Sequence, residues 1–305
     1  MSAPSVGSAL ARAGATVGAA GAAGVGYAWL EARLFRLRRV EVPVLPAGSD
    51  RIRILHLSDL HLAPYQHRKR TWVSRLAGLE PDLVVDTGDN LAHQDAVGPV
   101  LEVYGRLLDR PGVFVWGSND YHAPSFRNPA KYLIRSSSPR VPEVPDLPWT
   151  DLRDGFERRG WTDLTHRRVT LEIAGLRIEL RGTDDAHLGR DDYTLVAGPP
   201  AADVDLSIGV THAPYRRILD PMTADGVDLV FAGHTHGGQL CVPGYGALVT
   251  NCDLDTARVK GLSTNETTDR TSWLHVSGGL GTSPYAPVRF ACPPEATLLT
   301  LVPAP

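Results

Sequence analysis

The stretch ILHLSDLH at residues 54–61 constrains the fold most, because an apolar run ends abruptly in Asp59 and His61, two side chains able to bind metal. A buried parallel strand needs such a run, supplied here by Ile52, Ile54, Leu55 and Leu57 with His56 among them. Side chains just past its C-terminal end lie where open α/β sheets bind their ligands. A single D-x-H is also what turn capping produces, so the argument rests on repetition.

The pattern does repeat. Trp72, Val73, Leu76 and Leu79 share a helical face closed by Gly78 and Pro81, and residues 82–85 then read as a strand running into Asp86-Thr87-Gly88-Asp89-Asn90. Val97, Val100, Leu101, Tyr104 and Leu108 return at helical spacing before a third strand, 113–116, which ends in Gly117-Ser118-Asn119-Asp120. Three strands alternating with two helices predict βαβ units in a parallel sheet. Residues 169–173 and 176–180 alternate about Ala174-Gly175 as a hairpin. Leu206, Ile208 and Val210 lead to His212, and 227–231 lead to Gly233-His234-Thr235-His236-Gly237-Gly238. Strands at 273–276 and 296–301 complete the set.

Predicted strand ends therefore carry Asp59, His61, Asp89, Asn119, His212, His234 and His236. As core groups each would need its own hydrogen-bond partner, whereas one metal centre accounts for all of them. Gly88, Gly117, Gly233 and Gly237 allow the backbone to pass close to a ligand. Catalytic zinc uses only three protein ligands, so this many nitrogen and oxygen donors predicts two divalent ions such as manganese, iron or zinc. The three cysteines, Cys241, Cys252 and Cys292, have no C-x-x-C spacing and indicate neither a thiolate zinc site nor a disulfide framework.

DLH at 59–61, GDN at 88–90, His212 in THAP and GHTH at 233–236 occur in the order seen in the calcineurin-like metallophosphoesterases, which this chain resembles over residues 52–301. GHTHGGQ, the late GLGTSPYAPVRF and the Asp184-Asp185 pair are similar to that family's membrane-tethered bacterial branch. The resemblance implies an α/β four-layer αββα sandwich, two mixed β-sheets flanked by helices. It places Asp59, His61 and His236 on a first metal, His212, His234 and an Asn on a second, and Asp89 between them. The implied reaction is phosphoester hydrolysis, of a phosphodiester or phosphomonoester, in which the ion pair acidifies a bridging water for in-line attack. The branch suggests a small-molecule or lipid-linked substrate of the cell envelope.

The third motif departs from the family's Gly-Asn-His-Asp or Gly-Asn-His-Glu, reading Gly117-Ser118-Asn119-Asp120. A gapless match puts Ser118 at the metal-bound Asn and Asn119 at the His that assists the leaving group. A shift by one residue lets Asn119 bind metal and brings Asp120 or His122 towards the leaving group, and this is the preferred reading because it retains the Asn. A non-catalytic metal-binding scaffold, disabled at this motif, is the alternative.

Ala13 to Leu30 is uncharged and rich in Gly and Ala, with Arg12 before it and Arg33, Arg36, Arg38 and Arg39 after it. It can be read as a membrane anchor, a cleavable signal or a helix lying on the protein. The charge bias favours an anchor with the catalytic domain in the cytoplasm, a soluble cytoplasmic protein being the alternative. Residues 1–40 are thus expected as a separate anchor or targeting segment, 41–50 as a connector within a catalytic domain of 41–305, and the Pro-, Ser- and Arg-rich 121–166 as an inserted surface loop. A hydrophobic content of 43% with 21% charged residues describes a globular chain, and a net charge of −3 gives no general attraction to nucleic acid, which is not expected as a partner. Arg68-Lys69-Arg70 is the one compact basic run outside the anchor region and reads as a solvated helix start. Arg289 is the candidate for touching substrate phosphate, since a guanidinium binds two phosphate oxygens at once.

Overall fold

The first strand of the ligand-bearing run is covered on both faces. In a computed structural model, which describes residues 6–125 and 145–305 and only the backbone of 6–14 and 17, Ile52 and Ile54 face one apolar core while Leu55 and Leu57 face another. That double burial explains a near-continuous apolar sequence in place of strict alternation.

Among the described residues, fourteen strands and six α-helices follow in chain order. The helix α1 (Val6–Glu31) leads into β1 (Arg36–Leu45), β2 (Ile52–Leu57), α2 (His67–Ser74), β3 (Leu83–Asp86), α3 (Val97–Tyr104), β4 (Gly112–Phe114), α4 (Ser118–Tyr121), α5 (Trp149–Glu157) and β5 (Thr162–Asp163). The second half contains β6 (Arg167–Ile173), β7 (Leu176–Gly182), β8 (Leu206–Val210), α6 (Arg216–Asp225), β9 (Leu229–Ala232), the short hairpin β10 (Cys241–Val242) and β11 (Gly246–Ala247), then β12 (Gly261–Glu266), β13 (Thr271–Val276) and β14 (Glu295–Pro303). One six-stranded sheet has the order β1-β14-β2-β3-β4-β5 and the other β12-β13-β9-β8-β7-β6, both with parallel and antiparallel pairs. Between the sheets lies a core containing Ile54, Val85, Val113, Leu180, Ile208 and Phe231. Helices α2, α3 and α5 cover the outer face of the first sheet, and α6 that of the second. The expected two-sheet α/β sandwich is present.

Three segments differ from the sequence expectation. Strand β1 pairs with β14 from Arg36 onward, so the sheet takes in part of the stretch assigned to the N-terminal segment and the presumed connector. Pro43 and Pro46 signalled a linker, but β1 is an edge strand, where a missing N–H costs no ladder bond. The 121–166 stretch is not wholly a surface loop, for Leu152, Phe156 and Trp161 are buried against Tyr104 and Phe114, and β5 joins the sheet; 126–144 lie outside the described residues. Lastly, α1 has 26 residues, enough length for a membrane, yet among the described residues no helix is both long and apolar enough to cross one. Gly and Ala account for this, since they add little transfer free energy. The C-terminal end of α1 packs on the protein instead: Tyr27 meets Phe290 edge-on at 5.6 Å, Ala28 O accepts from Arg289 N at 2.9 Å, and Glu31 Oε2 accepts from Ala291 N at 2.9 Å.

At Gly112 an added Cβ would lie 2.3 Å from the Trp161 ring, which is itself held against Tyr104 and Phe156. Gly112→Ala should cost about 1–3 kcal/mol through overpacking, read as a lower urea midpoint with an unchanged m-value.

Candidate metal centre

Every strand that points at the site ends in a turn forced by its own hydrogen bonds. Asp59 N donates to Gly88 O at 2.8 Å and His61 N to Asp89 O at 2.9 Å, which lashes the loop after β2 to the loop after β3. Gly233 N donates to His212 O at 2.8 Å, and His234 N to both oxygens of Asp59 at 3.1 Å, which ties the second sheet to the first. The cost is backbone strain: Asp59, His61, Asp89, His234 and His236 have φ of 50°, 42°, 60°, 68° and 51°. Non-glycine residues held in that region cost on the order of 1–3 kcal/mol each and gather at functional sites. Two glycines permit the close approach. A Cβ at Gly233 would sit 1.9 Å from Ser58 Oγ, and one at Gly117 would sit 2.3 Å from Asp89 Oδ1.

Asp59, His61, Asp89 and His236 converge, their ligand atoms all within 4.8 Å of one another. His61 Nε2 and His236 Nε2 are 3.2 Å apart, His61 Nε2 is 3.4 Å from Asp89 Oδ2, and His236 Nε2 is 3.5 Å from Asp59 Oδ1. On the other side, His212 Nε2 lies 3.6 Å from the same Asp89 Oδ2. The His212 and His234 rings are 5.2 Å apart, and Asn119 donates to Asp89 through its backbone N and through Nδ2, both at 2.7 Å. His234 Nε2 rests 3.2 Å from Asn251 O, so this second group is less tightly gathered than the first. Polar satisfaction shows that the residues suit metal. The buried His212 Nε2 has no hydrogen-bond partner among the described residues, while His212 Nδ1 bonds Thr87 O at 2.7 Å and thereby turns Nε2 to the centre.

Protonation states agree with ligation. Burial holds His61 and His234 well below the usual imidazole range, helped by His236 and His187 respectively, and burial with the Arg289 charge takes His236 down to about 3. Neutral imidazoles are what a metal requires. His212 is the exception: burial pushes it down, but the Asp89, Asp185 and Asp59 carboxylates outweigh that and lift it to about 9.

Asp120 and His122 stand elsewhere than expected. Asp120 is fully buried and accepts the backbone N–H groups of Asp89, Asn90 and Gly117 at 2.7, 2.7 and 3.0 Å, so it shapes the loop that carries Asp89 and does not reach towards a leaving group. His122 Nδ1 lies 3.9 Å from Asp146 Oδ1, on the inserted segment. Arg289, expected on substrate phosphate, is fully buried and donates to the carbonyls of His236, Gly278, Gly279, Gly281 and Cys292. It positions the His236 loop. Asp185, noted in the sequence only as part of a resemblance and given no role, is buried beside His212 and raised to about 7 chiefly by that burial, and His187, not singled out, has its ring 4.4 Å from that of His234. Both follow β7.

Residues 52–238 match the calcineurin-like phosphoesterase family. The chain belongs to that family. It is 29% identical over 292 residues to the uncharacterized metallophosphoesterase YkuE of Bacillus subtilis, covering 91% of this chain and 90% of that one. It is 26% identical over 292 residues to phosphodiesterase YaeI of Escherichia coli, covering 92% and 93%. Among solved structures, TT1561 of Thermus thermophilus aligns at a TM-score of 0.42 with 11% identity over 76% of this chain and 91% of that one. Family and metal-type cluster together make the protein a phosphoric ester hydrolase that uses divalent metal ions.

Metal loading near pH 7.5 should release protons, because His212, lifted to about 9 by its carboxylate neighbours, would have to give up its Nε2 proton to act as a ligand. Titration calorimetry in two buffers of different ionisation enthalpy measures it, and equal heats in both would contradict this protonation state. Asn119→Ala should weaken metal retention about 10–100-fold, with Ser118→Ala far milder; the reverse order would move the ligand to Ser118.

Proposed function

We propose that this protein is a dinuclear phosphodiesterase in which Asp59, His61 and His236 hold one ion, His212, His234 and Asn119 the other, and Asp89 both. The observation that carries the reading is Asp89 Oδ2, which lies 3.4 Å from His61 Nε2 and 3.6 Å from His212 Nε2 and so serves both groups with one oxygen. The donor set suits manganese, iron or zinc. Such an ion pair supplies hydroxide at neutral pH and offsets the charge gathering on a phosphoryl group.

The chain's own residues do the rest. Asn119 fixes the Asp89 rotamer with two hydrogen bonds, and Ser58 Oγ, at 2.5 Å from Asp59 Oδ2, fixes Asp59. The Asp120 carboxylate, accepting from the backbone N–H groups of Asp89 and Asn90, keeps the Asp89 turn in place. No imidazole stands at the third strand end, so departure of the leaving group goes without a strong acid there, which is worth about 10²–10⁴ in rate. Esters of acidic alcohols are therefore favoured over those that leave as alkoxides. The name of the Escherichia coli relative supports a diester over a monoester.

Hydrolysis of bis-(p-nitrophenyl) phosphate with added manganese tests the reading. Wild-type protein should turn over, and Asp89→Asn should lose about 100-fold or more. A wild-type protein that binds two ions yet cleaves neither this diester nor the matching monoester would hand the assignment to a metal-binding scaffold.

A further inference from the structure

The basic run at the start of α2 is not simply solvated. Arg33 and Arg36 from the α1–β1 junction, Arg68 from α2 and Arg75 from the 3-10 turn that extends it line a surface cavity of about 640 Å³. No carboxylate lines it. Their neighbour Arg70 is paired with Glu102 at 2.6 Å, whereas Arg33, Arg36, Arg68 and Arg75 have no ion pair among the described residues. Phe35 and Trp72, ring centroids 5.5 Å apart, give the cavity an aromatic wall. Burial, and after it the Arg68 charge, lower the pKa of the Arg33 guanidinium, which lies 3.6 Å over the Trp29 ring and donates to Trp29 O.

Four arginines around one hollow with no carboxylate beside them concentrate positive charge there, and the planar guanidinium fork suits phosphate oxygens. We propose that this cavity binds an anionic phosphate group, separate from the metal centre. Lys69, on the same helix, donates to Leu60 O at 2.6 Å and His61 O at 3.1 Å, so the helix that walls the cavity also holds the backbone of a metal-site residue. Leu34 lines the cavity, and Trp29 and Leu30 lie exposed on the neighbouring turn of α1. The phosphate can therefore belong to a lipid headgroup or to a free molecule.

The test uses the full metal-loaded chain, with phenylphosphonate, which has no ester bond to hydrolyse and chelates divalent ions only weakly, in a calorimeter, and flotation with phosphatidylcholine vesicles with or without phosphatidylglycerol. The cavity event should survive Asp89→Asn, so that failure of the phosphodiesterase reading leaves it readable. It should weaken at least tenfold in Arg68→Ser/Arg75→Ser, two exposed positions whose change leaves turnover of the activated diester intact. Loss of phenylphosphonate binding alone in that variant assigns a free phosphate compound; loss of flotation with phosphatidylglycerol assigns a lipid headgroup. Wild-type and variant proteins that bind both probes equally, or bind neither at the cavity, overturn the proposal.

Discussion

The centre depends on one carboxylate held in one orientation. Asp89 sits on a left-handed turn that its side chain alone could not maintain, and three sets of hydrogen bonds maintain it. From below, Asp120 gathers the N–H groups of Asp89, Asn90 and Gly117. From the side, Asp86 accepts from Gly88 N at 2.8 Å and from Tyr104 Oη at 2.8 Å. From the front, Asn119 holds the carboxylate itself. With these in place, the ions meet ligands that need little rearrangement, which is the economy of a preorganised site.

The sandwich makes that strain tolerable. The site straddles two sheets, with Asp59, His61, Asp89 and Asn119 following strands of the first and His212, His234 and His236 following strands of the second. Relative movement of the sheets would open it. The apolar core between them opposes this, and so does a buried polar contact near the site: His56 of β2 and His275 of β13 meet through their Nδ1 atoms at 2.8 Å, with His56 Nε2 3.1 Å from Thr87 Oγ1. Burial pushes both imidazoles down, so the pair stays neutral and can share one hydrogen bond without charge repulsion. Arg289 extends the same scaffold to the C-terminal loop, where the end of α1 docks.

Much of this was legible in the sequence, because chemistry and topology coincide at strand ends. Asp59, His61, Asp89, His212, His234 and His236 each stand where an apolar run stops, and the structure gathers them. What was not legible depended on tertiary position. Pro43 looked like a linker because nothing local says that β1 is an edge. Arg289 looked like a phosphate ligand because only the folded loop reveals five carbonyls around it. Asp120 looked like an acid because its role lies in backbone N–H groups distant in sequence. Asp185 was legible only as part of a motif without a role, and His187 follows a hairpin strand with no local sign of its neighbour His234.

The central claim is that Asp89 is shared by two ions. Anomalous diffraction from crystals grown with manganese tests it most directly. The account predicts two peaks roughly 3.5–4 Å apart with the Asp89 carboxylate between them, one beside Asp59, His61 and His236 and the other beside His212 and His234. A single peak in fully loaded crystals, or two peaks of which only one contacts Asp89, would contradict it.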